Sequence, residues 1–137
     1  MASAAGKGGA SWRVLIVDDH VGYRELARTL FEALGCEVRI ARTAREAAQL
    51  ASAAAFDLIL LDRGPPGCGG DEAARRLRQP DSASQQALIV SHSTDPPEGH
   101  WLAIYDRVIL KPISASQIIA LMEECSRRLH REQGRRR

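Results

Sequence analysis

Five short runs constrain this chain more than anything else in it. Four are aliphatic: "RVLIVD" (13–18), "DLILL" (57–61), "ALIVS" (87–91) and "RVILK" (107–111). An alternating run marks a strand with one wet face, whereas an unbroken apolar run marks a strand buried on both. The fifth, "CEVRI" (36–40), is half polar and reads as a strand nearer an edge. Helical spacing fills the gaps. Tyr23, Leu26, Ala27, Leu30, Phe31 and Leu34 share a stripe that Gly35 follows as a natural helix stop. "TARE" (43–46) and "SASQ" (114–117) are capping boxes. The first opens a helix to about Ala54, the second a helix with Ile118, Met122, Cys125 and Leu129 on one face. A further helix is expected over about Gly70–Arg78, then a loop through Pro80 and "DSASQ". Strands alternating with helices predict a doubly wound, five-stranded parallel α/β sheet with helices on both faces.

At 137 residues the chain suits one domain. Aromatic residues make up only 4%, so the core must be aliphatic. A net charge of +2 is too close to neutral to argue for a nucleic-acid binder, and no direct nucleic-acid partner is expected. The basic end, "RRLHREQGRRR", reads as a helix fraying into a solvated tail over 131–137. Residues 1–12, rich in glycine and alanine, read as a flexible leader, a linker stub or a cloning remnant, with the domain over 13–130. Cys36, Cys68 and Cys125 are odd in number, far apart and without a CxxC pair. That speaks against a disulfide framework or zinc site, and free thiols suit a cytoplasmic protein. No apolar run is long enough for a membrane span.

In such sheets ligands gather at the carboxyl ends of the strands. Those ends carry Asp18-Asp19, Asp62, Ser91 and Lys111-Pro112. Singly each is weak: Asp19 could cap the first helix, and Ser91 could be structural. On one rim they make chemical sense together. Three close carboxylates repel unless a cation sits among them. Oxygen ligands without His or Cys favour Mg²⁺, which keeps waters and takes phosphate oxygens. A lysine and a hydroxyl complement a phosphoryl group, and a carboxylate can be the nucleophile that carries it. "LILLDRGPPGCGG" (58–70) then reads as a rigid strand presenting the Asp62 oxygen to phosphorus.

With "VLIVDDH", "DLILLDRGPPGCGG", "LIVSHS" and "VILKPIS" in this order, the chain resembles a response-regulator receiver domain of two-component and phosphorelay signalling, from about Arg13 to Leu129. The resemblance implies a CheY-like, flavodoxin-like strand order of 2-1-3-4-5. It implies Asp62 as phosphoacceptor from a histidine kinase or histidine phosphotransfer protein. Asp19 would bind Mg²⁺ directly with Asp18 assisting, and the Gly64 carbonyl would be a third protein ligand. Ser91 would hydrogen-bond the phosphoryl, Lys111 would pair with one of its oxygens, and Pro112 would follow a cis peptide bond. Such a module is no enzyme beyond its own phosphorylation and dephosphorylation, and it signals by conformational change.

Several residues depart from the family pattern. Prolines occupy positions 65 and 66, and Gly69 stands where an acid is common. His92 follows Ser91 where a small residue is usual, so it either narrows access to Asp62 or faces solvent. Prolines and a glycine in "STDPPEGHWLAIYD" (93–106) predict a short or irregular fourth helix, limited to about Glu98–Ile104. Val108 replaces the switch aromatic, which favours a monomer. One rival reading is a pseudo-receiver that binds partners without phosphoryl transfer. Others are a small hydrolase or a flavin protein, but the Asp-x-Asp nucleophile pattern and the Ser/Thr-rich phosphate loop are missing.

Overall fold

The computed structural model describes residues 11–64, 69–95, 99 and 103–135. The elements run β1 (Arg13–Val17), α1 (Val21–Ala33), β2 (Glu37–Ala41), α2 (Ala44–Ala53), β3 (Leu58–Leu61), α3 (Gly70–Leu77), β4 (Leu88–Ser93), β5 (Arg107–Leu110) and α4 (Ala115–Arg135). All strand pairs are parallel, and the order is β2-β1-β3-β4-β5. The half-polar strand β2 is at an edge, as its composition predicts.

Alternation along each strand splits the core into two layers. Val14, Ile16, Leu58, Leu60, Leu88 and Val90 pack with Phe31 of α1 and with Ile118 and Met122 of α4. Leu15, Val17, Ile59, Leu61 and Ile89 pack on the opposite face with Ala47 and Ala51 of α2 and Leu77 of α3. Both faces are covered, so the central strands can be aliphatic throughout.

The predicted helix signals operate. Thr43 Oγ accepts the Glu46 N–H at 3.1 Å, and Glu46 reaches back to the Arg42 N–H. Ser114 and Gln117 cap reciprocally, at 3.2 and 2.9 Å. Gly35 follows α1 with φ at +87°.

Two boundaries differ from expectation. Trp12, placed in the leader, is buried in the core, and its carbonyl accepts the Glu37 N–H at 2.8 Å. Helix α4 continues to Arg135, so residues 131–135 of the expected tail are helical. The expected short helix over 98–104 falls largely outside the described residues, as do Cys68 and the two prolines at 65 and 66. Cys36 and Cys125 are free and buried. Burial pushes their thiols up, to about 11 and about 12, so neither is a ready nucleophile.

Candidate functional site

The sheet register assembles the site. Val17 of β1 stands opposite Leu61 of β3, so the next residues, Asp18 and Asp62, leave the sheet side by side. The Asp62 N–H is held on the Val17 carbonyl at 2.8 Å. Leu61 in turn faces Ser91 of β4. Ser93 faces Leu110 of β5, and its carbonyl takes the Lys111 N–H at 2.8 Å. Four parallel strands thus deliver acids, hydroxyl and lysine to one rim.

Lys111 is the hub. Its Nζ lies 2.8 Å from Asp18 Oδ2 and 3.2 Å from Asp62 Oδ2, with only 5% of the side chain exposed. Burial opposes the ammonium, but hydrogen bonds and charge from Asp18 and Asp62 outweigh it, and the Lys111 pKa is raised. The Lys111–Pro112 peptide is cis. Asp18 is buried, and its Oδ1 accepts the His20 N–H at 2.9 Å. Asp62 Oδ1 accepts the Gly64 N–H at 3.1 Å, and Gly64 sits at φ +69°.

Oxygens of Asp18, Asp19 and Asp62 come within 4.8 Å of one another. One ammonium against three carboxylates leaves negative charge in excess, and the donors are all oxygen. That set fits a hard divalent cation such as Mg²⁺. Asp19 is exposed and makes no ion pair among the described residues. It does not cap α1, as one sequence reading allowed. His20 does, its Nδ1 accepting the Tyr23 N–H at 3.3 Å. Ser91 is fully buried, and its Oγ has no hydrogen-bond partner among the described residues. A buried hydroxyl left unpaired is costly, unless a ligand completes it.

His92 corrects one sequence alternative. It does not face solvent: it is 2% exposed, and its Nε2 accepts the Ile113 N–H at 3.1 Å. Burial first, then the Lys111 ammonium, lowers its pKa to about 4 against an opposing effect of Asp62. The imidazole is therefore neutral, with its proton on Nδ1.

Three groups at the site were not legible as such in the sequence. Tyr23 of α1 lies with its ring centroid 4.7 Å from Lys111 Nζ. Arg63, next to Asp62, grips Asp71 through Nε at 2.9 Å and Nη2 at 3.0 Å. Tyr105 is buried and donates its hydroxyl to the same Asp71 at 2.8 Å. Burial raises the Asp71 pKa, but these two hydrogen bonds and the Arg63 and Arg75 charges prevail and hold it lowered. Gly70 is required here, since a Cβ would stand 2.6 Å from the Arg63 carbonyl oxygen. A cavity of about 420 Å³ lined by Trp12, Phe56, Cys125 and Arg128 holds none of the acid cluster.

Comparison with known proteins agrees with this architecture. A response regulator receiver protein of Anaeromyxobacter sp. (strain Fw109-5) is 40% identical over 86 residues, covering 61% of this chain and 35% of that protein. The virulence sensor protein BvgS of Bordetella bronchiseptica is 30% identical over 126 residues, covering 86% of this chain and 10% of its own length. The chain therefore spans about a third or less of these relatives. Among solved structures, a CheY-like receiver domain from Methylobacillus flagellatus superposes with a TM-score of 0.75 at 20% identity, over 85% of this chain and 99% of that one. The receiver domain of the sensor histidine kinase PA1611 from Pseudomonas aeruginosa PAO1, solved with a magnesium ion in its active-site cleft, gives 0.73 at 20%, over 84% and 97%. At such identity these two likenesses show the fold. The family model for the response regulator receiver domain matches residues 14–123, most of the chain, and this protein belongs to that family.

Proposed function

We propose that this receiver domain accepts a phosphoryl group on Asp62 from a histidine kinase or histidine phosphotransfer protein. The observation that carries the reading is the Asp62 carboxylate, anchored at a strand end with Lys111 Nζ at 3.2 Å and two further acids beside it. A carboxylate oxygen attacks the phosphorus of a phosphohistidine, and an acyl phosphate forms. The P–N bond breaks, and the imidazole leaves with the bonding pair and takes a proton from solvent. Lys111 pairs with a phosphoryl oxygen, and the Ser91 hydroxyl, without a partner among the described residues, donates to another.

Asp19, Asp62 and the Gly64 carbonyl, with Asp18 assisting, would hold Mg²⁺. Its contribution is to neutralise charge on the phosphoryl oxygens. The PA1611 receiver domain, solved with magnesium in its cleft, supports this choice of ion. The resemblance to sensor proteins such as BvgS supports the class of donor. We further propose that the module acts in the cytoplasm, which the free thiols of Cys36 and Cys125 suit, and as a monomer, which Val108 in place of the switch aromatic favours. Among the described residues no helix is long and apolar enough to cross a membrane.

Intact mass after incubation with acetyl phosphate and Mg²⁺ tests the reading. One added phosphoryl is expected, absent without Mg²⁺ and absent in Asp62→Asn. Full incorporation in that variant would move the acceptor elsewhere, and none in the wild type would favour a pseudo-receiver.

A further inference from the structure

We infer that Tyr23 is a positioning residue for the phosphorylation reaction, acting through Lys111; this rests on the phosphoacceptor reading above. Two sides of the Lys111 ammonium are taken by carboxylates, Asp18 at 2.8 Å and Asp62 at 3.2 Å. The Tyr23 ring covers another, its centroid 4.7 Å from Nζ. A cation over an aromatic face is attracted to the ring quadrupole, and most strongly where water is excluded. The Lys111 side chain is 95% buried, so the contact operates where it counts.

The ring is placed, not merely adjacent. Tyr23 is the third residue of α1, and a helical side chain leans toward the N-terminus of its helix. It therefore points back at the rim that carries Asp18 and Asp19. His20 locks this first turn twice. Its Nδ1 takes the Tyr23 N–H at 3.3 Å, and its ring lies 4.7 Å from the Tyr23 ring at a 45° tilt. Gly22 leaves the room for this, since a Cβ there would come within 3.0 Å of the His20 ring. A tier of His20, Tyr23 and Lys111 results, anchored at one end by the helix cap and at the other by two carboxylates.

Its consequence is kinetic. The ammonium must meet the phosphoryl oxygens as negative charge is redistributed in transfer, and a pre-placed charge costs no reorganisation at that moment. A free lysine side chain samples many rotamers. With the ring above and the acids below, Nζ is held beside the Asp62 oxygen.

Phosphoramidate is the probe: the P–N bond breaks, ammonia leaves, and the acyl phosphate forms on Asp62. With Mg²⁺ present, Tyr23→Leu should slow incorporation by about tenfold, whereas Tyr23→Phe, which keeps the ring, should stay within about twofold of the wild type. The ¹⁵Nζ ammonium resonance of Lys111 should show a ring-current shift in wild type and Tyr23→Phe that Tyr23→Leu abolishes. In a Lys111→Met background, Tyr23→Leu should have no further effect. Equal rates in wild type and Tyr23→Leu, or an unchanged Lys111 resonance, would overturn the inference. So would a full effect in the Lys111→Met background. Failure of the underlying reading looks different: the wild type itself gains no phosphoryl, or Asp62→Asn gains one.

Discussion

Tyr105 and Asp71 are 34 residues apart in sequence, yet the tyrosine hydroxyl rests 2.8 Å from the aspartate. Asp71 lies in the first turn of α3 and also holds Arg63, the neighbour of Asp62. The loop after Asp62 is thus tied to the residues that lead into β5. Tyr105→Phe removes one hydrogen bond to a charged acceptor in a buried setting. We expect a loss of about 2 kcal/mol in unfolding free energy, read from denaturant midpoints at unchanged slope. Phosphorylation of Asp62 in that variant should persist.

His92 makes stability depend on pH. Its folded pKa, about 4, lies below the ordinary 6.5. Between those values the unfolded chain binds the proton and the folded one does not, so acid favours unfolding. The contribution is whole above pH 6.5 and falls away as pH drops toward 4, amounting to at most about 3 kcal/mol. His92→Leu should flatten this dependence. It should also cost about 1–3 kcal/mol at pH 7.5, because the buried Ile113 N–H loses its acceptor. Chemical denaturation of both proteins at pH 7.5 and 5 checks each half.

Asp18 and Asp19 should separate on mutation. Asp19 is exposed, and Asp19→Ala should weaken Mg²⁺ binding by about tenfold or more while the fold holds. Asp18 is buried against Lys111, and Asp18→Ala should cost about 3 kcal/mol of stability. Mg²⁺ titration by calorimetry beside thermal melts distinguishes them; matching effects in both variants would contradict the division.

Phosphorylation should not dimerise this protein. Val108 faces Ser91 across the β4–β5 ladder and is only partly buried. A short β-branched side chain cannot follow an inward movement of Ser91 as an aromatic ring would. Light scattering with size-exclusion chromatography, with and without beryllofluoride and Mg²⁺, should report a monomer throughout. A dimer that forms on activation, unaltered by Val108→Tyr, would reject this account.

The aliphatic runs, the stop at Gly35 and the two capping boxes were enough to write down five parallel strands and their flanking helices. Those signals are local: burial on both faces demands an unbroken apolar run, and a helix end demands a cap within a few residues. The rim residues were legible too, because in a parallel sheet every strand end arrives at the same side. Where the chain meets itself across long distances, sequence spacing was silent. Nothing around Tyr105 announces Asp71, and nothing around Tyr23 announces Lys111. His92 looked equally suited to solvent, since a histidine after a strand carries no mark of the buried N–H it satisfies. Asp19 could have served as the cap of α1 as well as a ligand, and the structure gives the cap to His20. Sequence alone determined the sheet, its edge and the residues on its rim, because those follow from periodicity and strand direction. Tertiary structure alone decided which polar groups pair across long distances in the chain, because that pairing depends on the three-dimensional packing of side chains, which local spacing does not encode.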